Sequence, residues 1–122
     1  MANEKLLLVE DDVMLIEMMK MNLEAQGYQV ITAENGKDGA FKAIAEKPDL
    51  ILADLMMPEL DGYEMIKLIR SNSDLKDTPI ICVTALGREE DIQKAMDAAA
   101  TDYITKPYVA NDLVKKIQTH LK

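Results

Sequence analysis

Five short apolar runs, at residues 5–10, 29–33, 49–54, 79–84 and 102–105, alternate with five amphipathic segments along this 122-residue chain. That alternation predicts a (βα)5 order: a doubly wound α/β fold with a five-stranded parallel sheet covered by helices on both faces. Runs such as Leu6-Leu7-Leu8-Val9 and Leu50-Ile51-Leu52-Ala53 are apolar at every position, as a strand buried on both faces requires. The intervening segments carry helical spacing. Residues 13–26 align Met14, Met18, Met21 and Ala25, and Gly27 stops the helix. Residues 36–46 align Ala40, Ala43 and Ile44 before Pro48 ends the pattern. Residues 62–72 carry Met65, Ile66 and Ile69; residues 88–99 carry Ile92, Ala95, Met96 and Ala99; residues 110–121 carry Leu113, Ile117 and Leu121. A (βα)8 barrel is excluded, because it needs about 250 residues. Residues 1–122 are expected to form one domain, with no output domain in the chain.

The polar residues fall at the ends of the runs. Glu10 and Asp11 close the first, Asp54 the third and Thr84 the fourth, while Lys106 follows the fifth. Pro58 and Gly62 place a loop after Asp54. Open α/β sheets bind ligands outside the carboxyl ends of their strands. If the first and third strands are neighbours, three acids converge on one crevice. Such a cluster needs neutralising by nearby lysines or by a divalent cation. The third adjacent acid, Asp12, is expected to cap the first helix.

Composition narrows the function classes. Hydrophobic residues make up 48%, which excludes a disordered chain. The net charge of −8 and a pI near 4.6 argue against direct nucleic-acid binding and against anionic membranes. Cys82, the single cysteine, sits in an apolar run and is expected to be a buried small hydrophobe. There is no secretory signal pattern and no stretch near the ~20 apolar residues of a membrane span, so a cytoplasmic location is expected. The cluster Met14, Met18, Met19 and Met21 is expected to pack in the core. His120 is expected to be an exposed, inert imidazole. Glu89, Glu90 and Asp91 suit the first turn of a helix, where acids complement the dipole.

Four motifs occur in order across essentially the whole chain: Leu7-Leu8-Val9-Glu10-Asp11-Asp12, Asp54-Leu55-Met56-Met57-Pro58-Glu59-Leu60-Asp61-Gly62, Val83-Thr84-Ala85 and Asp102-Tyr103-Ile104-Thr105-Lys106-Pro107. Jointly they are specific. The chain resembles the receiver domain of two-component response regulators, of the bacterial chemotaxis regulator type. The resemblance, not the periodicity, implies the flavodoxin-like strand order 2-1-3-4-5. It also implies roles. Asp54 is the phosphoacceptor, a carboxylate nucleophile. Asp11 is the direct Mg2+ ligand, Glu10 holds metal-bound water, and Asp54 and the Met56 backbone carbonyl complete the protein ligands. Lys106 pairs with a phosphoryl oxygen as a point charge, and Thr84 bonds another. Thr84 and Tyr103 form the switch that alters the surface of the fourth helix, fifth strand and fifth helix. Lys106-Pro107 matches a position where the family's peptide bond is cis.

The implied partners are a sensor histidine kinase or histidine phosphotransfer protein and a downstream protein effector, with the chain a monomer or weak dimer. Two departures stand out. Ala98-Ala99-Ala100 replaces a usual glycine; alanine in the left-handed conformation that glycine would permit costs about 1 kcal/mol, so either the loop differs or the fourth helix runs on. Met56 and Leu86 cannot orient an attacking water, which predicts slow hydrolysis of the phosphorylated form. The competing readings are a flavodoxin-like nucleotide binder, a metal-dependent phosphohydrolase, and a receiver excised from a larger DNA-binding regulator. The first lacks a Gly-rich loop after the first strand. The second normally needs a second acid two residues after its nucleophile, where Met56 stands.

Overall fold

The computed structural model describes residues 4–55, 62–85 and 89–121. The strands are β1 (Lys5–Val9), β2 (Gln29–Ala33), β3 (Leu50–Ala53), β4 (Ile80–Thr84) and β5 (Asp102–Thr105). The helices are α1 (Val13–Ala25), α2 (Gly36–Glu46), α3 (Gly62–Arg70), α4 (Glu89–Asp97) and α5 (Ala110–His120). A 3-10 turn, Ser73–Leu75, links α3 to β4. All pairings are parallel, in the order β2-β1-β3-β4-β5. The first and third strands are therefore neighbours, and the alternation read from the sequence is the observed one.

Side chains alternate across the sheet with period two, so each strand feeds two cores. Leu6, Leu8, Leu50 and Leu52 meet α1 and α5 through Ile16, Leu23, Leu113 and Ile117. Leu7, Val9, Ile51 and Ala53 meet the other layer, through Ala40 and Ala43 of α2, Met65, Ile66 and Ile69 of α3, and Ala95 of α4. Cys82 is fully buried in that layer, as expected. Gly39 lets α2 lie close to β1 and α3: a Cβ there would come within 2.8 Å of the Met65 sulfur and 2.9 Å of Val9.

Helix ends follow the local chemistry. Asp12 caps α1, its carboxylate accepting from the amides of Met14 at 3.0 Å and Leu15 at 3.2 Å. Asn35 caps α2 in the same way. Glu89, Glu90 and Asp91 do open α4. Ala99 takes the left-handed conformation at φ 77° just past the end of α4, so the helix does not run on. The amides of Ala99 and Ala100 close that end on the carbonyls of Met96 and Ala95.

Three expectations are corrected. Met14, Met18 and Met21 face solvent; the buried stripe of α1 is Ile16, Met19 and Leu23, so among the clustered methionines only Met19 packs in the core. Both stripes have helical spacing, and spacing alone does not say which one meets the sheet. Ile44 is likewise exposed, its place toward the core being taken by Gly39 and Ala40. Ala99 lies beyond α4 and is exposed, whereas Ala98 is buried.

Candidate functional site

The carboxyl ends of β1, β3 and β5 bring the predicted residues together. The ladder continues one residue past β3, where the Asp54 amide donates to the Val9 carbonyl at 2.9 Å. The Glu10 amide donates to Ala33 at 3.0 Å on the other side of β1. Both acids are thus fixed by backbone bonds. Their side chains are almost fully enclosed, Glu10 at 2% exposure and Asp54 at 7%, whereas Asp11 is exposed. Carboxylate oxygens of Glu10, Asp11 and Asp54 lie within 4.8 Å of one another. Enclosed carboxylates this close need a cation.

Lys106 supplies one. Its ammonium lies 3.0 Å from Glu10 Oε1 and 3.2 Å from Asp54 Oδ2, bridging the two acids. The Lys106 amide donates to the Thr84 carbonyl at 2.7 Å, which anchors the start of this loop to β4. The Lys106-Pro107 peptide bond is cis, as the resemblance implied. Burial opposes the charge on Lys106, but the hydrogen bond to Glu10 and the charges of both acids outweigh it and hold the ammonium above its ordinary value. Burial pushes the Glu10 carboxyl up to about 7; the Lys106 hydrogen bond opposes this shift and the Asp54 charge adds to it. One lysine therefore leaves the three acids incompletely neutralised. The donor set is all oxygen, and its exposed member gives access from solvent. That fits a hard divalent cation such as Mg2+, which accepts few protein oxygens and keeps several waters. The Asp12 amide donates to Glu10 Oε2 at 3.2 Å and helps to orient that carboxylate.

Thr84 is buried at the end of β4, paired in register with Thr105. Tyr103 is half-buried and packs on the core layer that includes Ala95 and Ala98. Met56 and Leu86 lie outside the described residues. Gly62 holds α3 hard against the acid-bearing loop: a Cβ there would sit 2.7 Å from the Asp54 carbonyl oxygen and 2.6 Å from the Leu55 Cα. Backbone cannot yield as a flexible side chain could.

The sequence profile of the response regulator receiver domain matches residues 6–118. The chain belongs to that family. It is a receiver domain of two-component signalling, with an acidic cluster compatible with Mg2+. Among curated relatives it is 38% identical over 120 residues to the alkaline phosphatase synthesis transcriptional regulatory protein PhoP of Bacillus subtilis, covering 98% of this chain and 49% of that protein. It is 33% identical to the transcriptional regulator RpaA of Synechocystis, covering 97% of this chain and again 49% of the relative. The receiver spans about half the length of these curated relatives. Among solved structures it superposes on the chemotaxis protein CheY4 of Vibrio cholerae with a TM-score of 0.92 at 33% identity, over 97% of this chain and 98% of that one. A receiver domain of a Pseudomonas aeruginosa sensor histidine kinase, solved with magnesium coordinated in its active-site cleft, matches with a TM-score of 0.92 at 30% identity, over 98% of both chains. Among the described residues no helix is long and apolar enough to cross a membrane.

Sequence reasoning missed a second polar cluster. Asp102, at the start of β5, accepts from Lys116 at 3.2 Å and stands 2.9 Å from His120 Nε2. His120 is only partly exposed, so the expectation of an inert surface imidazole is wrong. The legible signal was the spacing of Lys116 and His120, one turn apart on a single face of α5. Arg70 was missed as well. Its guanidinium donates to the carbonyls of Leu75 at 2.8 Å, Thr78 at 2.6 Å and Ala99 at 2.9 Å, tying α3 to the turn before β4 and to the loop after α4.

Proposed function

We propose that this receiver is a phosphoacceptor switch in which Asp54 takes a phosphoryl group from the phosphohistidine of a sensor kinase or phosphotransfer protein. The carrying observation is the enclosed Asp54 carboxylate, backed by two further acids and contacted by Lys106 at 3.2 Å. A carboxylate oxygen of Asp54 attacks phosphorus, the P–N bond breaks, and its electron pair returns to the leaving imidazole. The barrier is largely electrostatic, because a negative nucleophile approaches a negative group, so neutralisation and positioning carry the catalysis. Asp11, Asp54 and, through water, Glu10 would hold Mg2+, with the Met56 carbonyl completing the set; bound there, the ion supplies the positive charge that Lys106 alone does not. Lys106 moves from bridging the two acids to pairing with a phosphoryl oxygen.

The Thr84 hydroxyl then bonds another phosphoryl oxygen, and Tyr103 turns into the space vacated. The surface of α4, β5 and α5 changes, and with it the affinity for a protein effector. An inactive–active gap of a few kcal/mol suffices for such a shift. The switch assists its own phosphorylation and dephosphorylation but is not a turnover enzyme, and it works in the cytoplasm as a monomer or weak dimer. A second reading draws on the curated relatives, which are transcriptional regulators about twice the length matched here. In that reading the same switch controls a DNA-binding output domain.

The test is intact mass after incubation with a small-molecule phosphodonor, with and without Mg2+, for the wild type and Asp54→Asn. A Mg2+-dependent gain of one phosphoryl group, absent in the variant, supports the reading. A folded protein that gains nothing under any condition overturns it in favour of a phosphorylation-independent binding module.

A further inference from the structure

We infer that Tyr63 is a positioning residue that couples the Asp54 loop to α4, by a route separate from Thr84 and Tyr103. The inference rests on Asp54 being the phosphoacceptor and on α4 being part of the surface that responds.

The first link is Gly62. Its α-carbon stands so near the backbone of Asp54 and Leu55 that a single added Cβ would overlap both residues, and its amide donates to the Leu55 carbonyl at 3.3 Å. A shift of the Asp54–Leu55 backbone therefore cannot leave the first turn of α3 where it is. Close-packed interiors pass on such displacements because there is no void to absorb them.

The second link is the next residue. The Tyr63 ring is 7% exposed and belongs to the same core layer as Leu55, Ala95 and Ala98. It reaches α4 at two points. Its hydroxyl lies 3.4 Å from the Asp91 carbonyl in the first turn, and the Lys94 ammonium stands 4.5 Å above the ring centroid. The two contacts fall on successive residues of one helical face. They engage the helix by its backbone and by a charged side chain.

The third link is the small buried face of α4. Within its nine residues it fully buries only Ala95. Helices with small buried faces sit at the low-stability end of a fold and respond to small forces. One enclosed aromatic that touches both the Asp54 loop's neighbour and two points of α4 has leverage there.

Hydrogen exchange of residues 89–97, measured with and without a phosphodonor plus Mg2+, tests the coupling in the full chain. The variants are Tyr63→Phe, Tyr63→Leu and Lys94→Met, and intact mass on each sample reports phosphorylation at Asp54. Lys94 is exposed, so its variant should fold even if a Tyr63 variant does not. All variants should gain the phosphoryl group. The phosphorylation-induced change in α4 exchange should fall about threefold in Tyr63→Leu, within the range by which intervening residues alter coupling, and less in Tyr63→Phe, which removes the hydroxyl, and in Lys94→Met, which removes the ammonium over the ring. A merely structural tyrosine would change α4 exchange equally in both states and leave the induced difference at its wild-type size; that result overturns the inference while leaving the phosphoacceptor reading intact. Absence of any mass gain in the wild type would sink both.

Discussion

Helices α3 and α4 are both nine residues long, lie in the same layer and lead away from strands that end in site residues, yet they are attached in opposite ways. Helix α3 buries Gly62, Tyr63, Met65, Ile66 and Ile69, whereas α4 buries only Ala95. Burial of apolar area is the main stabilising term, so α3 is fastened by side chains worth about 1.5–3 kcal/mol each and α4 is not. The C-terminal end of α4 is instead held from outside, by the Arg70 guanidinium on the Ala99 carbonyl. The difference separates a part packed by large apolar side chains beside Asp54 from one with a small buried face. On the proposed phosphoacceptor reading, the second is the part that moves.

The largest test of that contrast is truncation. Ile66→Ala should cost about 2–5 kcal/mol in urea unfolding, since Ile66 is fully buried and its neighbours cannot collapse into the space. Met96→Ala on α4 removes a side chain of similar size from a half-buried position and should cost less than about 1 kcal/mol. Equal costs would remove the distinction. Next comes the tie between the two helices. Arg70→Met keeps the length of the side chain but takes the guanidinium donors from the carbonyls of Thr78 and Ala99 and one of two donors from that of Leu75, which also accepts from the Thr78 amide. A loss of about 2 kcal/mol is expected, with faster hydrogen exchange concentrated in residues 97–101 and not in α3. Uniform acceleration would mean that Arg70 supports the whole fold and not the end of α4 in particular.

A smaller effect, of opposite sign, should come from Ala99. An alanine at φ 77° is strained by about 1–2 kcal/mol, whereas a glycine there is relaxed but adds freedom to the unfolded chain. Ala99→Gly should therefore stabilise the domain by about 0.5–1 kcal/mol in thermal or urea melts. A destabilised Ala99→Gly would mean that the bonds closing the end of α4 do not depend on the strained conformer.

Much of this arrangement was legible beforehand, and the parts that were not share a cause. Strand limits agree to within one residue because a strand buried on both faces must be apolar throughout, so its ends show as the first polar residues. Asp54, Glu10 and Lys106 converge because parallel strands place all their carboxyl ends on one edge. Periodicity reports the spacing of a stripe but not its direction, which is why Met14, Met18 and Met21 looked like core and Ile16, Met19 and Leu23 are. Arg70 was illegible for a different reason: its carbonyl partners lie up to 29 residues away, and no local pattern marks a pairing made by tertiary contact. The spacing of Lys116 and His120 shows in the sequence, but nothing local names Asp102, 18 residues from His120, as their acceptor. Ala99 went against expectation, since the cost of a left-handed alanine is small beside the other demands on that loop.

Helix α5 adds a third mode of attachment, and it yields the smallest predicted effect. Its last turns are clamped to β5 by charge: Asp102 accepts from Lys116 at 3.2 Å and lies 2.9 Å from His120 Nε2. Burial pushes the Asp102 carboxyl up, but the bonds from His120, the Tyr103 amide and Lys116 outweigh it and hold the group below its ordinary value. A carboxylate depressed in the folded state stabilises above its unfolded value, near 4, and that contribution is lost as pH falls through the lower folded value. The acid limb should thus loosen the end of α5 and leave α3, fastened by apolar burial, unaffected. Amide NMR shifts of residues 116–120 should move as pH falls below about 4, while those of residues 65–69 stay level. In Asp102→Asn the α5 movement should vanish, because the amide does not titrate. An α5 that stays level in the wild type would show that Leu113 and Ile117, both buried, are sufficient to hold it, and that attachment by burial extends beyond α3 to the opposite face of the sheet.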